Sequence, residues 1–134
     1  MKISAKEQIK FDEGFSGNVY QCTEGKNTIG YGRNLDNNPL TKKEAEHLLD
    51  NDLKRVAKQA MRFSFYKNLD ADRRAVVINM IFQLGLKGFE GFKKLIGALD
   101  NRDYGRAYTE MLDSKWSQQT PERAQRLAKI MRGF

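Results

Sequence analysis

Residues 70–85 read Asp70-Ala71-Asp72-Arg73-Arg74-Ala75-Val76-Val77-Ile78-Asn79-Met80-Ile81-Phe82-Gln83-Leu84-Gly85. From Ala75 to Leu84 the apolar side chains point in nearly every direction around a helix, which places this segment at the buried centre of a helical bundle. Asp70 stands ready as its N-cap. Downstream, helices are predicted near 90–99 and 103–113. Thr120-Pro121-Glu122 then joins a capping residue to proline at the first helical position. The last helix it opens carries Ala124, Leu127, Ala128 and Met131 on one face.

Upstream, Thr41 with Glu44 forms a capping box. The helix behind it is predicted to end near Arg62, with Ala45, Leu48, Leu49, Leu53, Val56, Ala57 and Ala60 at spacings of three and four. Residues 15–38 change character. Val19-Tyr20-Gln21-Cys22 and Asn27-Thr28-Ile29-Gly30-Tyr31 are short β-prone runs around a Thr23–Lys26 turn, and Asn34–Pro39 reads as loop. A second capping box, Ser4 with Glu7, starts a first helix over Ala5–Glu13 that stops at Gly14. The expected fold is α+β, mainly α, and two-lobed. A small hairpin or three-stranded lobe takes about 14–40, a connecting helix about 41–62, and a helical lobe 63–134 together with the first helix. The whole of 1–134 is read as one domain.

Lys and Arg number 24 against 17 Asp and Glu, a formal charge of +7 that favours polyanionic partners: acidic cell-wall polymer, anionic lipid or nucleic acid. No recognised nucleic-acid motif accompanies the charge, so nucleic acid is not an expected partner. The basic residues Arg123, Arg126, Lys129 and Arg132 beside an apolar stripe leave an anionic membrane surface as a second candidate. A packed helix with a basic outer face is the simpler reading. One cysteine, Cys22, allows no internal disulfide, and one histidine, His47, gives no basis for a metal cluster. No metal or cofactor is expected. The N-terminus lacks an apolar run, so a chain made in a cytoplasm without a secretory signal is expected. Gly30-Tyr31-Gly32 is too short for a dinucleotide fingerprint, and Gly25-Lys26 lacks the rest of a phosphate loop.

Glu13 is the first chemical candidate. It ends the first helix, where the macrodipole disfavours a carboxylate, as a general acid requires; a solvated helix-end glutamate is the plain alternative. Cys22 and Thr28 follow on the predicted hairpin, two small polar side chains able to hold a water.

The strings Phe11-Asp12-Glu13-Gly14-Phe15, Thr23-Glu24-Gly25 and Asn27-Thr28-Ile29-Gly30-Tyr31-Gly32 resemble the T-even phage lysozyme (endolysin) family. So do Leu69–Ala75, Ile78–Gly85 and Lys115–Ala124. The resemblance implies endo-hydrolysis of the β-1,4 bond between N-acetylmuramic acid and N-acetylglucosamine in peptidoglycan, without a cofactor and leading to host cell lysis. Glu13 matches the family's general acid and Thr28 its water-positioning threonine. Phe82 and Gln83 match a helix end that borders the family's substrate cleft, although Phe82 fits a core position equally well. Arg123 is implied to face Glu13, and Arg126 to face Asp12. A monomer acting on the cell wall after release from the host cytoplasm by a holin-type partner is implied as well. Arg33 stands where some relatives have histidine, and the Gly32–Thr41 loop is short.

Cys22 occupies the position where the family usually has aspartate. Three roles stay open. The thiolate orients or deprotonates a water with Thr28; or it attacks the anomeric carbon and gives a covalent intermediate; or it is a neutral filler, leaving a peptidoglycan-binding module with weak or lost catalysis. Glu24, two residues on, is a minor candidate for a substitute carboxylate.

Overall fold

In the computed structural model, which describes residues 3–133, the fold is mainly helical with one small sheet. The chain divides into two compact units, Met1–His47 and Leu48–Phe134.

The first unit opens with helix α1, Ala5–Glu13. The Ser4 hydroxyl accepts from the Glu7 N–H at 3.2 Å. Gly14, at φ +67°, turns the chain out of the helix in a backbone conformation that glycine adopts freely. Strands β1 (Ser16–Gln21), β2 (Asn27–Gly30) and β3 (Arg33–Asn34) form an antiparallel sheet in the order β1-β2-β3. Tyr20 pairs with Thr28 and Gln21 with Asn27, while the register shifts between Ser16 and Tyr20, marking a bulge. The strand is shorter than expected at one end. Cys22 lies just past β1, where its N–H donates to the Lys26 carbonyl at 3.0 Å and its carbonyl accepts from the Gly25 N–H at 2.8 Å. Asn34, which reads as loop by composition, pairs with Thr28 in the third strand.

The connection after β3 is fastened by charge. Arg33 donates to the carbonyls of Asn38 (2.9 Å) and Pro39 (2.7 Å) and grips both carboxylate oxygens of Glu44. Helix α2, Lys42–Ala60, starts there. The capping box is reciprocal: the Thr41 N–H donates to Glu44 Oε1 at 2.9 Å, and the Glu44 N–H donates to Thr41 Oγ1 at 3.1 Å. Arg33 first, then the Thr41 backbone and hydroxyl, hold the Glu44 carboxyl at about 2, against an ordinary 4.5. The folded state therefore favours ionised Glu44. That contribution is full above about pH 4.5 and is lost as pH falls through about 2. Glu44→Gln is expected to lower Tm at neutral pH, with the gap from the parent closing between pH 4.5 and 2 in a calorimetric series. A pH-independent gap would assign the effect to helix capping alone.

Helix α2 starts where its capping box predicts and ends at Ala60, near the expected Arg62, with only part of its apolar stripe buried. After Ala60 the backbone tightens, with Arg62 N–H on the Gln59 carbonyl (3.2 Å) and Phe63 N–H on the Ala60 carbonyl (3.1 Å), so the helix stops before Arg62. Val56 and Ala60 are buried, whereas Leu48, Leu49 and Leu53 are exposed.

The second unit holds the hydrophobic core. After a 3₁₀ turn at Tyr66–Asn68 come α3 (Ala71–Glu90), α4 (Lys93–Asp100), α5 (Tyr104–Leu112), α6 (Lys115–Gln119) and α7 (Pro121–Arg132). Gly85, at φ +77° and ψ 164°, breaks α3 and redirects its last turn. Val76, Val77, Met80 and Ile81 are buried. The helix is not enclosed all round, however, because Phe82 stays exposed. Phe63, Phe65, Phe89, Phe92 and Trp116 form a run of aromatic contacts with ring centroids 5.2–6.5 Å apart. The short helix α6 has no counterpart among the predicted elements; it carries the buried Trp116. Helix α7 buries Ala124, Leu127, Ala128 and Met131, the stripe its spacing predicts.

Two capping residues behave otherwise than expected. Neither Asp70 nor Thr120 caps its helix through its side chain. Asp70 instead accepts from Arg73 at 2.9 Å. Arg73 also donates to the carbonyls of Met131 (2.7 Å) and Arg132 (3.1 Å), closing the α7 C-terminus, and stacks its guanidinium 3.8 Å from the Tyr104 ring centroid. Arg73→Ala should cost about 2–3 kcal/mol, since charged hydrogen bonds and a cation–π contact go together. Denaturant unfolding of the full chain checks this. A loss under about 0.5 kcal/mol, the usual range for a surface change, would show that the α7 end does not depend on it.

Candidate active site

Glu13, Cys22 and Thr28 all lie in the first unit. Thr28 is on the central strand, flanked by Tyr20 on β1 and Asn34 on β3. At 3 % exposure it is the buried polar residue of the described chain. A hydroxyl held there must be hydrogen-bonded, and Thr28 Oγ1 donates to the Lys26 carbonyl at 2.9 Å. That bond uses its one proton and leaves oxygen lone pairs free to accept from a water.

Cys22 shares a face with Thr28 because the ladder continues from the Tyr20–Thr28 and Gln21–Asn27 pairs to Cys22 against Lys26. Its thiol is half-buried. Hydrogen bonds from the backbone at Lys26 and then Glu24 lower its pKa below the ordinary 9.0, and the Thr28 hydroxyl adds to this; burial and the Glu24 carboxylate act against it. The surroundings therefore favour thiolate, the reactive form. The single Thr28 proton serves either the Lys26 carbonyl or Sγ at one moment. Glu24 is exposed at the turn and acts on the thiol as an opposing charge.

Glu13 ends α1 and its side chain is exposed. Its carboxyl lies over the two-residue turn between β2 and β3. A Cβ built on Gly32 would stand 2.6 Å from Glu13 Oε2 and 2.7 Å from Cδ. The turn that follows the Thr28 strand thus lies beneath the Glu13 carboxyl.

In the second unit, Gln83 accepts a hydrogen bond from the Trp116 indole N–H at 2.9 Å. Phe82 lines an apolar groove with Leu49, Leu53, Ala57 and Ile78, with Asn79 and Arg123 at its edge. Arg123 gives both Nε (3.0 Å) and Nη2 (2.6 Å) to Asn79 Oδ1. No group of three or more potential metal ligands occurs among the described residues.

A carboxyl at a helix end, a thiol just past a strand and a buried hydroxyl on the neighbouring strand suit hydrolysis at an acetal centre. The comparisons agree. Residues 10–132 match the phage lysozyme family. The chain belongs to that family. It is a lysozyme-type glycoside hydrolase. It is 30% identical to probable T4-type lysozyme 1 of Dictyostelium discoideum over 98% of this chain and 95% of that one. With probable T4-type lysozyme 2 of the same organism it shares 28% identity over 97% and 94%. The pre-baseplate central spike protein Gp5 of Enterobacteria phage T4 is 29% identical over 96% of this chain but only 28% of its own length.

Two features of this lysozyme-family site escape the sequence reading. Gly32 enters it as part of a family-like string, a loop boundary and a rejected dinucleotide fingerprint, with no role beside Glu13, although glycine at a close approach is the available signal. Arg33 enters it only by what it replaces, and its pairing with Glu44, eleven residues away, has no local signature.

Proposed function

We propose that the chain hydrolyses the β-1,4 bond between N-acetylmuramic acid and N-acetylglucosamine in peptidoglycan, with Glu13 as general acid. The supporting observation is the joint placement of Glu13 against Gly32 and of Cys22, just past β1, on the same face as Thr28. Glu13 gives its proton to the leaving glycosidic oxygen as the C–O bond breaks. A water donates one hydrogen bond to Thr28 Oγ1, and the Cys22 thiolate takes its other proton. The hydroxide so formed attacks the anomeric carbon from the opposite face, which inverts its configuration. The thiol and the Glu13 carboxylate then exchange protons with solvent. No metal or cofactor enters these steps.

The biological reading follows from that chemistry and from the family resemblance. The protein acts on the host cell wall as a monomer, reaching it from the cytoplasm with the help of a holin-type partner. The apolar stripe of α7 is occupied in the core, so any attraction to an anionic surface rests on its outer basic residues.

Digestion of purified peptidoglycan, followed by reduction and mass analysis of the fragments, tests the bond. New reducing ends at N-acetylmuramic acid are expected. Ends at N-acetylglucosamine, or anhydro products, would overturn the assignment, and binding without fragments would favour the non-cutting module.

A further inference from the structure

We propose that Gly32 is a positioning residue that fixes where the Glu13 carboxyl sits; this rests on Glu13 being the acid. Among the described residues of the first unit, four glycines have positive φ: Gly14 (+67°), Gly25 (+75°), Gly30 (+70°) and Gly32 (+74°). For the first three, an added Cβ would meet nothing within 4 Å, so backbone conformation alone accounts for glycine there. Gly32 carries a second demand. An added Cβ would stand 2.6 Å from Glu13 Oε2, 2.7 Å from Cδ and 3.0 Å from Cγ. All three are shorter than van der Waals contact, which for carbon lies near about 3.5 Å.

The atoms that meet this Cβ belong to the end of a flexible side chain. The clash is relieved by swinging the Glu13 carboxyl aside, at little cost to the fold. It is not relieved without moving the acid, and a displacement on the order of 1 Å at a reacting group can reduce rate about 10²-fold. The bare Cα of Gly32 leaves the space that this carboxyl occupies, and a side chain at residue 32 would take that space. Residue 32 thus affects rate and stability separately.

The experiment compares Gly32→Ala with Gly30→Ala, which imposes similar positive-φ strain into open space. Tm should fall by similar amounts in both. Only Gly32→Ala should lose kcat, by about 10²-fold, with KM changed less than about threefold. Gly32→Asn, which tolerates positive φ better, presents the same Cβ if the alanine variant fails to fold. Shortening the acid by Glu13→Asp withdraws the carboxyl from residue 32, so that change should cost less in the Gly32→Ala background than in the parent. If Gly32→Ala keeps kcat within about threefold of Gly30→Ala, or if both lose it equally, the positioning role is overturned. Activity surviving Glu13→Gln would instead remove the acid assignment beneath it.

Discussion

Glu13→Gln is expected to abolish glycan cleavage while leaving the fold intact. The amide keeps the shape of the carboxyl and its place against Gly32 but carries no proton acidic enough for the leaving oxygen. General acid catalysis is typically worth about 10²–10⁴-fold, and an alkoxide leaving group without protonation puts this case at or beyond the upper end. The stability change should be within about 0.5 kcal/mol, as for other exposed changes away from special features. The residue is exposed at the helix end, and the amide keeps the volume of the carboxyl against Gly32. Reducing-end release from peptidoglycan measures the first effect and thermal unfolding the second. Wild-type turnover in the amide variant would sink the mechanism. Lost turnover with a large fall in Tm would point to a structural role.

The same residue shows what the sequence made legible. The α1 boundaries followed from Ser4, Glu7 and Gly14, because caps and stops act within one turn and leave local marks. The buried stripe of α7 followed from helical spacing for a similar reason. Leu48, Leu49 and Leu53 fit the same periodicity yet are exposed. Periodicity reports which residues share a face, not how much of that face is covered. Asp70 shows another limit: a capping residue was present, but Arg73 took its carboxylate. The contacts of Arg73 with Met131 and of Arg123 with Asn79 join residues far apart in sequence and left no pattern to read. Within the site, the order and spacing of Glu13, Cys22 and Thr28 were visible from the chain. The turn that brings Gly32 under Glu13 was not, since one glycine looks like another until its neighbours are known.

Replacing Cys22 should produce the second large effect and separate its three possible roles. Its thiol is held below the ordinary 9.0 by backbone hydrogen bonds at Lys26 and Glu24. If thiolate is the working form, kcat/KM rises with pH as the thiol ionises, along a limb lying below 9.0. Cys22→Asp should move that limb to acidic pH, because a carboxylate ionises near about 4. Cys22→Ser and Cys22→Ala should lose the limb and about 10²–10⁴-fold in rate. The anomeric configuration of the first product decides between base and nucleophile. Attack by water leaves an inverted product and no adduct. Direct attack by sulfur would form a C–S bond as the glycosidic C–O bond breaks, and water would then release a product of retained configuration. A trapped glycosyl-cysteine would therefore overturn the water mechanism. An alanine variant as fast as the parent would instead reduce Cys22 to filler and leave Glu13 and Thr28 to carry the reaction.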